Sequence, residues 1–199
     1  MNYNSRLSLF SKQGERKYLN QRERHAFYAC AKDLPIERQI FCLLLYFTGA
    51  RISEIYELTP RQIDFIDKTV IIRSLKRRRD DLYRQIPLPE HFLDNIKIFV
   101  KDKKGIGSIN ADTENLWLFA LRTAARVVKR VMVSAHIYGV KACARGLRHG
   151  FAVNAVSRVP LTQIKTWMGH ANLSTTAIYL DVSGTEERQL AKRLWDEEE

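Results

Sequence analysis

Apolar positions along the chain change period twice. From Gln21 to Lys32, and again after Pro35, they recur three and four residues apart, the spacing of one helix face. Asn20 followed by Glu23 is a capping-box signature, so the first helix should start near Gln21 and run to about Lys32. Pro35 opens the second helix. Its inner face is Ile36, Ile40, Leu43, Leu44 and Phe47, and Gly49 supplies the left-handed residue that stops it. A short helix carrying Ile52, Ile55 and Leu58 follows Arg51, and Thr59-Pro60 caps another turn.

Between Asp64 and Pro87 the period drops to two. Val70, Ile71 and Ile72 read as a strand and Leu82 to Ile86 as its return. Lys76-Arg77-Arg78-Arg79-Asp80-Asp81 forms a very basic hairpin tip between them. Helical spacing resumes at Pro89, with Phe92, Ile96 and Phe99 inside, and residues 102–115 read as a surface loop around Gly105 and Gly107. Ala120 to Ala135 is strongly patterned. Leu121, Ala124, Val128, Val131 and Ala135 make one face, and Arg122, Arg126, Lys129 and Arg130 another. Further helices are expected at 146–157, 161–168 and 174–180, and a second capping box, Ser183 with Glu186, starts a last one to Trp195. The fold class is mainly α with a small antiparallel β-sheet (α+β). One domain spans 19–182, between a loose basic arm at 1–18 and a C-terminal helix with an acidic tail at 183–199.

Composition narrows the partner. The 199 residues carry 33 basic and 22 acidic side chains, a net charge of +11. The four acids Asp196 to Glu199 end the chain, so the remainder sets 33 basic against 18 acidic side chains, or +15. Such a balance calls for a polyanion, nucleic acid before anionic membrane. Cys30, Cys42 and Cys143 are widely spaced, with no CxxC pair, and read as free thiols in a reducing cytoplasm. The start lacks the apolar core of a signal peptide, and Phe41 to Phe47 is too short to span a bilayer, so no membrane association is expected.

The chemistry concentrates between Ala144 and Leu180, which holds Arg145, Arg148, His170 and Tyr179. Arginines grip phosphoryl oxygens in a fork, and a tyrosine can attack phosphorus through its phenolic oxygen. Upstream, Arg51 sits at a helix mouth, where backbone amides also favour an anion. Singly, Tyr179 reads as a core tyrosine and His170 as a helix-end histidine. The basic stripe on 120–135 reads either as a solvated face or as a DNA-facing one.

Together these features make the chain resemble the catalytic domain of the tyrosine recombinases, or phage integrases. The resemblance runs from about Tyr18 to Leu194. It is carried by TGARISE at 48–54, a lysine in a hairpin ending IPLP, GLRHGF at 146–151, MGHANLSTTAIY at 168–179, and the nine-residue step from His170 to Tyr179. It implies a site-specific recombinase that cleaves and rejoins DNA through a 3′-phosphotyrosine intermediate, with neither cofactor nor metal. Arg51 and Arg148 would be the two phosphate-gripping arginines and His170 the phosphate-bonding histidine. Tyr179 would be the nucleophile, and Lys76 the hairpin lysine that protonates the leaving 5′-oxygen. Arg77, Arg78 and Arg79 compete for the Lys76 role, and with Arg122, Arg126, Lys129 and Arg130 they are candidates for DNA contact. Glu54 would orient the basic groups, and His149 would be structural support.

Two departures stand out. Arg145 occupies the slot where the family usually has histidine, three residues before the second arginine, which leaves the identity of the general base open. Arg145 would still stabilise phosphorane charge. The usual N-terminal core-binding domain has no counterpart here, as in short single-domain members. The expected partners are double-stranded DNA, further copies of the chain on that DNA, and a partner recombinase or an accessory DNA-bending protein; the expected location is the nucleoid. The C-terminal helix would pack on its own domain or dock on a neighbouring subunit. A catalytically weak DNA-binding accessory protein and a type IB topoisomerase-like relaxing enzyme are the competing readings.

Overall fold

The computed structural model describes residues 8–75, 82–105 and 114–182. Helices α1 (Gln21–Lys32) and α2 (Ile36–Thr48) pack side by side, followed by the short α3 (Ile52–Tyr56) and a 3-10 turn, Pro60–Gln62. Strands β1 (Ile63–Asp64), β2 (Thr69–Arg73) and β3 (Tyr83–Pro87) form one antiparallel sheet in that order, with Val70 opposite Ile86 and Ile72 opposite Arg84. Helices α4 (Glu90–Gly105), α5 (Leu121–Ser134), α6 (Ala144–Ala155), α7 (Leu161–Met168) and α8 (Ser174–Ala177) complete the order, with a second 3-10 turn at Leu180–Val182. The fold is mainly α with a small antiparallel sheet, as the periodicities imply. Among the described residues, no helix is long and apolar enough to cross a membrane.

The helix signals act as read. Asn20 and Glu23 close both halves of the capping box on α1, and Gly49 ends α2 at φ 60°. Several details differ. Ile36 is exposed, because it lies in the first turn of α2, ahead of the packed stretch Ile40–Leu45. A third strand, β1, joins through only two residues, too few to leave a periodic signal. Helix α4 continues to Gly105, past the expected loop start at 102. The span 174–180 divides into α8 and a 3-10 turn, and Tyr179 sits at the break. Residues 8–18 are mostly exposed but anchored at two points. Lys17 N–H donates to the Leu9 carbonyl, and Leu9 and Tyr18 are buried, because both are apolar and lie against α6 and α7. The hairpin tip, with Lys76, Arg77, Arg78 and Arg79, and the segment 183–199 lie outside the described residues.

The interior forms two apolar clusters. The larger joins α1 to α5 and the sheet through Phe27, Phe41, Leu44, Ile55, Phe92 and Val128. The smaller gathers Leu9, Tyr18, Ala152, Ala155, Ile164, Met168 and Tyr179. Helix α6 serves both, sending Leu147 into the first and Ala152 and Ala155 into the second. It runs close to its neighbours because Gly146 and Gly150 lie four residues apart on one face. A Cβ on Gly146 would stand 1.9 Å from the Lys141 carbonyl oxygen, and one on Gly150 would stand 2.6 Å from that of Leu19. Gly146 also accepts the Leu19 N–H at 3.2 Å, which pins the chain entering α1 onto α6.

Backbone against backbone leaves no side chain to yield. Gly146→Ala is therefore expected to cost about 3 kcal/mol. Urea unfolding should show a lowered midpoint with an unchanged slope; a midpoint equal to wild type would contradict the close approach.

Candidate active site

Arg51 is the N-cap of α3, fixed immediately after the Gly49 turn. Glu54, three residues on, turns back to it. Its Oε1 accepts from Arg51 Nη1 at 2.7 Å, and its Oε2 accepts from the Arg51 backbone N–H at 2.8 Å. Oε2 also accepts from Arg84 Nη2 at 2.5 Å. Glu54 and Arg84 are both buried. Burial by itself would raise the Glu54 carboxyl pKa. The Arg84 guanidinium, then the Arg51 amide and charge, outweigh it and hold the group below its ordinary value.

Arg84 extends this network across the molecule. From β3, its Nε donates to the Trp167 carbonyl at 2.7 Å and its Nη1 to Ser74 Oγ at 3.0 Å. It thus joins the strand, the Arg51 turn and the end of α7. Sequence reasoning missed it, although β3 carried a signal. Arg84 is in phase with Ile86, so the alternation points a charged residue inward.

Arg148 enters from α6. Nη1 donates to the Gly49 carbonyl at 2.8 Å, and Nη2 to the Met168 carbonyl at 2.6 Å. These acceptors lie at the C-terminal ends of α2 and α7, where helix dipoles favour a cation. Among the described residues, its direct partners are these carbonyls and His170, so its charge meets no carboxylate at contact. Burial first, and then the Arg51 charge, pull its pKa down to about 9, and it stays cationic at neutral pH.

His170 follows the left-handed Gly169, φ 61°. Its Nε2 lies 3.2 Å from Arg148 Nη2, and its Nδ1 lies 2.9 Å from Thr176 Oγ1. Arginine only donates, so Nε2 accepts and Nδ1 carries the hydrogen toward Thr176. Burial, followed by the Arg148 and Arg51 charges, lowers the imidazole pKa to about 3.

Tyr179 is 1% exposed. Its ring lies within the smaller cluster and parallel to the His170 ring, with centroids 6.4 Å apart. Its hydroxyl oxygen is 2.8 Å from His149 Nδ1, a contact that sequence reasoning did not anticipate. Burial raises the phenol pKa to about 12, against the opposing pull of Arg148 and Arg51. Burial, then Arg148, Arg145 and Lys17, lower the His149 pKa to about 4.

The fold therefore brings together Arg51, Glu54, Arg84, Arg148, His149, His170 and Tyr179. Arg145 lies on the same helix but is exposed, and reaches this group only through its charge. Arg122, Arg126, Lys129 and Arg130 stand exposed on the outer face of α5. The assembly concentrates positive charge around a single buried carboxylate and places a phenol beside it, an arrangement able to hold a phosphodiester and attack it.

Two measurements follow from these shifts. The histidine pKa values are lowered on folding. The stability they contribute is present above about pH 6.5, the unfolded value, and is lost as pH falls toward about 4 and 3. Glu54 acts in the same direction at lower pH. The melting temperature should fall between pH 7 and 4.5, with a flatter fall in a His149→Gln, His170→Gln double variant. Arg84→Met leaves the Glu54 carboxylate with one of its two guanidinium partners and should cost about 3–5 kcal/mol in urea unfolding; a cost under about 1 kcal/mol would remove Arg84 from the framework.

Comparison with known proteins finds relatives of this chain. A family model described as "Phage integrase family" matches residues 17–186. The tyrosine recombinase XerA of Pyrococcus furiosus is 30% identical over 162 residues, which cover 79% of this chain and 54% of that protein. A tyrosine recombinase of Thermosipho africanus is 32% identical over 161 residues, covering 76% of this chain and 52% of that protein. The chain thus spans about half the length of these curated relatives. Among solved structures, the XerH site-specific recombinase bound to its palindromic difH substrate, a post-cleavage complex, superposes with a TM-score of 0.76. Identity there is 21%, over 90% of this chain and 53% of that one, a likeness of fold.

Proposed function

The chain belongs to the phage integrase family, and on that premise we propose that it is a site-specific DNA strand transferase acting through a 3′-phosphotyrosine intermediate. The observation that carries this reading is the convergence of Arg51, Arg148, His170 and Tyr179, drawn from four separate elements, into one cationic cluster. In this reading Arg51 and Arg148 donate to the non-bridging oxygens of the scissile phosphate. Both charges are held rigidly before the substrate arrives, so little reorganisation is needed as charge builds on the phosphorane.

His170 requires one adjustment. Its Nε2 accepts from Arg148 in the structure. To donate to a phosphate oxygen it must carry a proton there, and the approaching anion favours that state. Tyr179 attacks phosphorus, and the phosphotyrosine retains the ester until a 5′-hydroxyl displaces it, so no external energy source is needed. Lys76 is the proposed acid for the leaving 5′-oxygen, and Arg145 adds positive charge nearby. The polyanion partner is double-stranded DNA. It lies along Arg122, Arg126, Lys129 and Arg130 on α5, with Arg77, Arg78 and Arg79 as further contacts and with further copies of the chain, a partner recombinase or a DNA-bending protein completing the assembly. The nucleoid is the corresponding location.

Incubation with nicked suicide duplexes of randomised sequence, followed by denaturing electrophoresis, tests this directly. A covalent adduct is expected with the wild-type chain and none with Tyr179→Phe. Arg148→Ala should slow adduct formation about 10²–10³-fold. DNA binding should weaken steeply with salt, and Arg126→Ala should reduce the log–log slope by about 1. Binding without an adduct would turn the reading toward an accessory DNA-binding protein.

A further inference from the structure

Strand transfer requires a group that takes the phenolic proton, and the position where the family usually places a histidine holds Arg145. An arginine guanidinium is a donor only and offers no lone pair at neutral pH. The only polar partner that the structure gives the Tyr179 hydroxyl, among the described residues, is His149 Nδ1. We propose that His149 is the general base of the reaction, taking the Tyr179 proton on Nδ1 during cleavage and returning it during rejoining. The proposal rests on the strand-transfer reading above.

Three observations carry it. The first is distance: 2.8 Å lies within the reach required for direct proton transfer. The second is the direction of the hydrogen bond. Tyr179 is almost wholly buried, so its O–H needs a protein acceptor, and no buried side-chain nitrogen or oxygen among the described residues lacks a partner. A neutral phenol meeting a neutral imidazole at Nδ1 donates to it, which leaves the imidazole hydrogen on Nε2 and the Nδ1 lone pair aimed at the proton to be moved. The third is the electrostatic setting. His149 faces Arg148 and Arg145 from its own helix, Lys17 from the 8–18 segment, and His170 and Tyr179 from beyond α7. Burial first, and then the charges of Arg148, Arg145 and Lys17, keep it unprotonated. A phosphate docked on Arg51 and Arg148 offsets part of that field, so the imidazolium becomes less costly as the phosphorane charge grows.

The proton inventory closes. In cleavage the Tyr179 O–H bond breaks, and its proton passes to His149 Nδ1. The phenolic oxygen bonds to phosphorus, the bond from phosphorus to the 5′-oxygen breaks, and that oxygen takes a proton from the Lys76 ammonium. In rejoining the 5′-hydroxyl gives its proton to the Lys76 amine and attacks phosphorus, and the departing phenolate recovers its proton from His149.

Two experiments on the full chain test the assignment. With ¹⁵N-labelled histidine, NMR should find His149 Nδ1 unprotonated and hydrogen-bonded and Nε2 protonated, with the Nδ1 signal shifting in Tyr179→Phe. A proton on Nδ1 overturns the proposal. The second uses a duplex captured by the wild-type chain from the randomised pool. His149→Asn can keep a hydrogen bond to Tyr179 through Oδ1 but accepts no proton, and should cleave about 10²–10³-fold more slowly with a melting temperature near wild type. A 5′-bridging phosphorothiolate, whose leaving group needs no proton, should rescue Lys76→Ala but not His149→Asn. Cleavage by His149→Asn within about threefold of wild type, or its rescue by the phosphorothiolate, overturns the proposal. A wild-type chain that captures no duplex overturns strand transfer itself, and this role with it. Capture that is insensitive to His149 overturns the role alone.

Discussion

One buried carboxylate organises the site. Glu54 accepts from Arg51 and Arg84 together, and both its own side chain and that of Arg84 are closed off from solvent. An isolated ion at that depth would be strongly disfavoured. The pairing is tolerated because each oxygen meets a guanidinium and the Arg51 amide adds a further donor. The consequence extends beyond the pair. Arg84 also reaches Trp167, at the end of α7 just before Met168 and Gly169, while Arg148 reaches Met168 and Gly49. Strand β3, the turn before α3 and the turn after α7 are thereby held as one frame. His170 and Arg51 hang from that frame with little freedom left.

The frame also explains why the cluster is cationic without falling apart. Three guanidinium groups, those of Arg51, Arg84 and Arg148, gather around a single carboxylate. Backbone carbonyls at two helix ends absorb part of the excess. Carbonyl dipoles stabilise a cation without neutralising it, so the charge remains available to an incoming anion. Both histidines stay neutral chiefly because they are buried, and the neighbouring arginine charges add to that resistance to protonation.

Tyr179 completes the arrangement from the opposite side. It is packed among apolar neighbours of the smaller cluster, with its single polar atom satisfied by His149. Burial keeps the phenol protonated and fixed in direction. The phenol is therefore ordered, and its hydroxyl already shares a hydrogen bond with His149. Helix α6 makes this possible by carrying Arg148 and His149 as consecutive residues, one turned to the carbonyls of Gly49 and Met168 and the other to the phenol.

Most of the fold was legible along the chain. The capping box at Asn20 and Glu23, the stop at Gly49 and the alternation in β2 and β3 are local signals, and local backbone energetics settled each of them. Burial of Leu9 and Tyr18, the break at Tyr179 and the short β1 were not legible, because each depends on a surface supplied by distant residues. For the site, the residue types and spacing of Arg51, Arg148, His170 and Tyr179 sufficed to nominate them and to suggest phosphate chemistry. What they could not reveal was partnership. That Arg84 joins Glu54 across thirty positions of sequence, and that the phenol meets His149 while Arg145 stays exposed, follows from the crossing of β3 and α6 with the turns around them. The sequence by itself determined most of the helices and the β2–β3 hairpin and nominated candidate reactive groups, since those follow from local propensity and side-chain type. Tertiary packing decided which groups touch, because hydrogen bonds and field strengths depend on distances of a few ångströms that only the folded chain defines.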